Sequence, residues 1–294
     1  MNFDKINNYR KLADEYMINA LKAPIPALSG MYDAMLYSVK NGGKRVRPVL
    51  AMMFCEASGG NPESAVPLAC AVEFVHTYSL IHDDLPCMDN DDYRRGKLSN
   101  HKVFGEANAV LAGDGLLTAA FSLISDGAEK GLYSSGRAVA AVKALSSYAG
   151  ASGMVGGQFI DLAGEGEKLP KEKLELMDRL KTGALIASAC VLGCIAANAD
   201  DKKIKAAEDF AYNLGIAFQI RDDILDVTGN TETLGKLTGS DSENEKSTYV
   251  SLYGLEKCEE LVNKLTDRAI AALAEFENGG DLKDFALYLS KREK

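Results

Sequence analysis

Two aspartate clusters, about 140 residues apart, constrain this chain more than any other feature. The first reads Asp83-Asp84-Leu85-Pro86-Cys87-Met88-Asp89-Asn90-Asp91-Asp92, with Arg94-Arg95-Gly96 just beyond it. The second reads Gln219-Ile220-Arg221-Asp222-Asp223-Ile224-Leu225-Asp226. Each follows an apolar stretch with helix-like spacing, where a carboxylate normally has no place. Two carboxylates about 5 Å apart repel by roughly 3 kcal/mol at an effective dielectric near 20, so such clusters call for cations. Oxygen-only ligands favour hard cations, and Mg²⁺ takes one or two carboxylates together with substrate phosphates. The pattern predicts two Mg²⁺-loaded acidic walls with a diphosphate held between them. Any fold of this chain must bring the two walls together.

The apolar stretches are helical. Strand signals are sparse, with no alternating β-branched run closed by Asn-Gly or Asp-Gly. The chain is 47% apolar, has no Trp and only 7 Pro, and is long enough at 294 residues for a large core. Spacing and capping signals predict helices over 4–22, 28–40, 46–58, 63–84, 106–126, 134–150, 153–163, 170–181, 183–199, 202–227, 248–277 and 281–292. Two polar segments interrupt them, Leu85–Gly105 and Thr228–Ser247, and loops that long in a compact domain usually serve function. With no repeat, linker or low-complexity tract, residues 1–294 read as one all-α domain, a helical bundle.

A net charge of −9 argues against nucleic acid or an anionic membrane as partner. An anionic substrate would need locally concentrated cations, which Lys44-Arg45-Val46-Arg47 and Arg94-Arg95 supply. The six Cys lack disulfide or zinc spacing. The N-terminus lacks the basic start and apolar core of a signal peptide. The longest uncharged run, Thr182–Ala199, is too short and too rich in Ala and Gly for a membrane span. A cytoplasmic location is expected.

In the second cluster Gln219, Asp222, Asp223 and Asp226 fall at i, i+3, i+4 and i+7, on one helical face. Apolar neighbours on both sides favour a buried metal site over a solvated acidic stripe. In the first cluster Asp83 and Asp84 end a helix, and Asp89 follows a proline turn; Asp91 and Asp92 are expected to face solvent or steady the loop. Gly42-Gly43-Lys44-Arg45-Val46-Arg47-Pro48 joins a flexible turn to three cations suited to phosphate oxygens. His76, two turns before Asp83, could donate to a phosphate, although a lone helical His is more often a core residue. His82-Asp83 also matches the dyad of helical metal-dependent phosphohydrolases, but the upstream His ligand on a separate helix is missing.

Taken in order, these motifs resemble the trans-isoprenyl diphosphate synthases, in particular the bacterial farnesyl diphosphate type. The resemblance runs over nearly the whole chain. It includes Gly157-Gln158-Phe159-Ile160-Asp161-Leu162, Lys181-Thr182-Gly183 and Glu245-Lys246-Ser247-Thr248-Tyr249 besides the stretches above. It implies an all-α bundle around a deep central cavity, usually a homodimer, that joins an allylic diphosphate to isopentenyl diphosphate. By resemblance Asp83, Asp89 and Asp222, supported by Asp84, Asp223 and Asp226, would hold Mg²⁺, three ions once diphosphate is bound. Arg94, Lys181, Thr182, Gln219 and Lys236 would contact the allylic substrate, and Lys246 would help close its site. Lys44, Arg47, His76 and Arg95 would hold isopentenyl diphosphate. The released diphosphate is left as the proton acceptor, because no His or Glu is obviously placed for it.

Residues just before the first cluster set the cavity floor in this family. Tyr78, about 7.5 Å below Asp83 along a helix, would stop the product at fifteen carbons. An ideal wheel places Ser79 more directly beneath Asp83, and Pro86–Asp92 also looks like geranylgeranyl diphosphate synthases. Farnesyl diphosphate is the expected product, geranylgeranyl diphosphate the alternative. A terpene cyclase would not need the second Asp-Asp motif, and a regulatory subunit could lose its acidic clusters, which are intact here.

Overall fold

A computed structural model describes residues 1–164, 169–228 and 248–292. The helices are α1 (Phe3–Ala20), α2 (Ser29–Lys40), α3 (Val46–Ala57), α4 (Val66–Asp83), α5 (Asn100–Phe104) and α6 (Glu106–Glu129). They continue with α7 (Ser135–Ala149), α8 (Met154–Leu162), α9 (Lys171–Asp178), α10 (Ala184–Ala196) and α11 (Asp201–Thr228). The chain closes with α12 (Tyr249–Tyr253), α13 (Leu255–Ala272) and α14 (Gly280–Ser290). The all-α expectation holds.

Side-chain caps start several of these helices. Asn2 accepts from the Lys5 N–H, Ser134 from that of Arg137, and Thr248 forms a capping box with Ser251. Pro67 occupies the first turn of α4, where its missing N–H has no partner to lose. What holds the bundle is burial. Every residue of α10 is buried, and α3 and α4 are nearly so. A helix apolar all round must be enclosed by others. Accordingly α10 packs against α3, α4, α7 and α11, while α4 packs against α3 and α6, and α11 against α13. Phe54 anchors the centre with edge-on contacts to Phe210 and Phe276.

The structure departs from the sequence expectation in three places. The expected helices 170–181 and 183–199 join through a π-helical turn, Arg179–Gly183, a distortion frequent at functional sites. The expected helix 248–277 breaks at Gly254, whose φ of +77° a helix cannot continue through. The polar segment after α4 contains a small hairpin, Tyr93–Arg94 against Lys97–Leu98. Its two-residue turn, Arg95-Gly96, has both φ values positive, as such a tight turn requires.

Among the described residues three stretches, Pro62–Asp83, Glu106–Glu129 and Lys171–Ala196, are long and apolar enough to cross a bilayer by length and composition. In the first and third most of the apolar window is buried inside the protein; in Glu106–Glu129 only 39% is.

Gly193 on α10 faces the Ala51 carbonyl of α3 so closely that an added Cβ would collide with backbone. Gly193→Ala is therefore expected to lose about 1–3 kcal/mol of stability through overpacking. Urea unfolding with unchanged m-value and lowered midpoint would bear this out; an unchanged midpoint would not.

Candidate active site

A cavity of about 430 Å³ opens among α4, α8 and the π-helical turn. From α4 come His76, Tyr78, Ser79, His82 and Asp83; from α8 come Met154, Gln158 and Phe159. Lys181 and Thr182 face it from the π-helical turn, and Arg47 reaches it from α3. Gly157 lets α8 approach that closely, since a Cβ there would strike the Lys181 backbone. Tyr78, which is buried, and Ser79 line the cavity wall. The Tyr78 ring meets His82 edge-on at 5.6 Å.

The adjacent aspartates of the first cluster part company. Asp83 faces the cavity and accepts from Gln158 Nε2 at 2.6 Å. Burial, with Asp89 adding to it, pushes the Asp83 carboxyl up to about 6 against the opposing pull of Lys181. Asp84 lines a neighbouring recess together with Arg94 and Arg95, and accepts from Arg94 Nε at 2.8 Å. Successive helical residues point about 100° apart, so neighbours at a helix end cannot share one target. Asp84, expected among the metal ligands, is thus engaged by Arg94, and Arg94, expected on substrate, is engaged by Asp84. The Asp89 N–H closes a tight turn onto the Asp83 carbonyl at 2.9 Å. Asp91 accepts from Arg94 at 3.2 Å and Asp92 pairs with Lys102 at 2.7 Å, both steadying the hairpin.

On α11 the buried Asp223 accepts from Gln219 Nε2 at 3.0 Å and from the Tyr249 N–H at 2.8 Å. Asp222 pairs with Arg292 at 2.5 Å, whose guanidinium lies 3.5 Å from the centre of the Phe218 ring. Asp226 is buried one turn further on. Thr182 Oγ1 stands 3.5 Å from Gln219 Oε1. Lys181 bonds Asp161 at 2.5 Å and feels the charges of Asp83 and Asp89. Asp178, in turn, feels Asp223 and Asp161, and burial together with these two carboxylates pushes it up to about 8. Lys181, Asp161 and Asp178 therefore bridge the two acidic walls electrostatically.

Gln158, Asp161, Asp178 and Arg292 were assigned no role from sequence. Gln158 and Asp161 share a helical face at i, i+3, as do Asp178 and Lys181, a signal that spacing could have supplied. Arg292 had none, because its contact with Asp222 spans the fold. Lys236 and Lys246 lie outside the described residues.

The basic side is built on the Gly42-Gly43 turn, where both glycines have positive φ. The Arg95 guanidinium lies so near Gly43 that an added Cβ would come within 2.6 Å of it, and Arg95 Nη1 donates to the Gly42 carbonyl. Lys44 belongs to the same turn. Arg47 points into the cavity with its Nε buried and unpartnered. Burial lowers the Arg47 pKa despite the attraction of Glu73. Burial, followed by the charges of Arg47 and Arg95, holds His76 well below its ordinary value, so this imidazole is neutral at neutral pH. Arg45, one of the three expected cations of the turn, points inward and bonds Glu73 and Asp14. The arrangement suits anions: a desolvated, crowded positive pocket gains most when a diphosphate enters it.

Among the described residues no three His, Cys, Asp or Glu side chains converge on a preformed metal cage. The carboxylates instead take protein donors such as Gln158, Lys181, Arg292 and the Tyr249 N–H. Their chemistry nonetheless fits a hard cation. The donors are all oxygen, and half-buried Asp83 and buried Asp178 are pushed up, a sign of negative charge that the protein leaves incompletely balanced.

The neutral His76 has a consequence for stability. Below its ordinary value of 6.5 the unfolded chain takes up a proton that the folded protein refuses. Stability should fall with pH below that point, by at most about 1.4 kcal/mol per pH unit from this group. His76→Asn is expected to flatten the fall between pH 6.5 and 5 in urea unfolding; identical slopes would show that His76 is protonated in the fold.

Comparison with known proteins agrees with this geometry. The Polyprenyl synthetase family model matches residues 29–286. The farnesyl diphosphate synthase of Micrococcus luteus is 45% identical, covering 100% of this chain and 98% of its own length. A chloroplastic geranylgeranyl pyrophosphate synthase of Catharanthus roseus is 47% identical over 90% of this chain and 74% of its own. The crystal structure of an FPP/GFPP synthase from Zymomonas mobilis superposes with a TM-score of 0.87 at 33% identity, covering 99% of this chain and all of that one. The chain belongs to the polyprenyl synthetase family.

Proposed function

We propose that residues 1–294 form a prenyltransferase domain that condenses isopentenyl diphosphate with dimethylallyl and then geranyl diphosphate, giving farnesyl diphosphate. One observation carries this: a cavity with largely apolar walls to which Asp83, Lys181, Arg47 and His76 add charged and hydrogen-bonding groups. That combination suits a hydrocarbon tail carried on a diphosphate. Farnesyl diphosphate synthases among the relatives, at 45% identity over the full chain, support the same reaction.

In this mechanism Asp83, Asp89 and Asp222, with Asp223 and Asp226 behind them, would hold Mg²⁺ on the allylic diphosphate. Bound there, magnesium would neutralise the charge that develops on the leaving group. Lys181 would move from Asp161 to the same oxygens, with Thr182 and Gln219 orienting them. Arg94 holds Asp84 in place and adds positive potential beside Asp83. Lys44, Arg47, His76 and Arg95 would fix isopentenyl diphosphate, with neutral His76 donating a hydrogen bond. The apolar walls keep water from the allylic cation until the alkene attacks it. Tyr78 would close the floor at fifteen carbons.

The test is one assay with purified protein, Mg²⁺, labelled isopentenyl diphosphate and dimethylallyl diphosphate, with products sized by mass spectrometry. Wild type should give fifteen carbons, Asp83→Ala should lose roughly 10²–10³-fold or more in rate, and Tyr78→Ala should extend the product. A twenty-carbon wild-type product would favour geranylgeranyl synthesis, as in the Catharanthus relative, and no elongation would end the proposal.

We also propose a homodimer joined through α6, in a cytoplasmic enzyme whose six free thiols suit a reducing compartment. Val110 and Leu111 on α6, Val103 on α5, and Val139 and Val142 on α7 are exposed apolar side chains, and only 39% of the apolar window of α6 is buried within the chain. Exposed apolar surface on such a helix supports an interaction surface there. Light scattering should give twice 31.5 kDa for wild type and a single chain for Leu111→Glu; a wild-type monomer would refute the dimer.

A further inference from the structure

Arg45 belongs to the basic turn by sequence but not by direction. Its φ is +49°, a left-handed conformation that a non-glycine residue adopts only when its surroundings hold it there. The side chain is 4% exposed and makes three directed contacts. Nη1 donates to Glu73 Oε1 at 3.0 Å, Nε to Asp14 Oδ1 at 2.7 Å, and Nη2 to the Val39 carbonyl at 2.6 Å. Arg45 thereby ties α1, α2 and α4 to the turn that carries Lys44 and opens α3 with Arg47.

Glu73 is the other half of the device. It is 2% exposed, on α4 one turn before His76, and its Oε2 has no hydrogen-bond partner. It is also the carboxylate whose charge bears on Arg47 and Arg95, and Arg47 Nε is buried without a partner of its own. A buried carboxylate with one lone oxygen and an under-bonded guanidinium nearby would pair if nothing intervened, since each is strongly destabilised alone.

We propose that Arg45 is a positioning residue for the isopentenyl diphosphate pocket: by occupying Glu73 and locking the left-handed turn, it keeps Arg47 available for phosphate. This rests on the assignment of Arg47 to that diphosphate. Arg45 touches no substrate. Its removal leaves Glu73 free to capture Arg47, which turns the pocket's central cation away from the anion it should bind. The allylic side, built on Asp83, Lys181 and α11, shares none of these contacts.

The separation of the two substrates gives the test. KM for each substrate and the thermal midpoint are measured for wild type, Arg45→Met and the double variant Arg45→Met/Glu73→Gln. Arg45→Met should raise KM for isopentenyl diphosphate by roughly tenfold or more, with the allylic KM changed by less than about twofold. The double variant, which removes the carboxylate as well, should bring the isopentenyl KM back to within about threefold of wild type. An unchanged isopentenyl KM in Arg45→Met overturns the proposal, as does a joint rise of both KM values with a lowered thermal midpoint. Should Arg45→Met fail to fold, a folded double variant whose isopentenyl KM stays raised also overturns it. Absence of turnover in wild type would sink the functional assignment and this proposal together, whereas normal wild-type turnover with unaltered variants sinks only the role of Arg45.

Discussion

Carboxylates carried toward the interior by α4 and α11 are what the rest of this structure is arranged around. α4 could have been enclosed without difficulty if it were apolar to the last residue, and α11 if its inward face were. Instead each delivers aspartates into the interior, and the bundle must supply partners for them. It does so with Gln158 on α8, Arg292 past α14 and the backbone N–H that opens α12, while Lys181 on the π-helical turn, paired with Asp161, adds positive charge beside Asp83. The close seat of α8 against the Lys181 backbone, which glycine at 157 permits, brings α8, with Gln158 and Asp161, up to the π-helical turn. The balance is incomplete. Asp83 near 6 and Asp178 near 8 retain a demand for positive charge.

The opposite pole has the opposite problem. Arg47, Arg95 and His76 crowd positive or hydrogen-bonding groups into a desolvated pocket, and the fold keeps them from neutralising the nearby acids. Arg94 is committed to Asp84, and Arg45 to Glu73 and Asp14, so the two arginine pairs divide their labour in the same manner. One member of each pair is spent on a buried carboxylate; of the others, Arg95 donates to the Gly42 carbonyl and Arg47 keeps a buried Nε without a partner. An overall charge of −9 thus coexists with a strongly anion-seeking pocket, because the local arrangement and not the net charge sets the field inside a cavity.

Much of this was legible along the chain. Helical periodicity without strand signals determined the all-α class, and nearly every expected helix lies where capping and apolar spacing put it. The i, i+3, i+4, i+7 set on α11 and the motif order determined which residues would form the acidic walls, and Tyr78 and Ser79 do reach the cavity. These are local facts, since residue spacing along a helix fixes which side chains share a face. What spacing cannot fix is the partner that a face will meet.

Tertiary structure alone decided that Asp83 enters the cavity while Asp84 binds Arg94, and that Arg45 turns toward Glu73 and Asp14 while Arg47 turns into the cavity. It decided that Asp161 and Asp178 stand between the walls, and that Arg292 crosses the fold to Asp222. The π-helical turn that aims Lys181, and the break at Gly254 that separates α12 from α13, are likewise invisible to periodicity. The reason is common to all of them. A charged side chain chooses among directions by the desolvation it avoids and the counter-charge it meets, and both are supplied by helices distant in sequence.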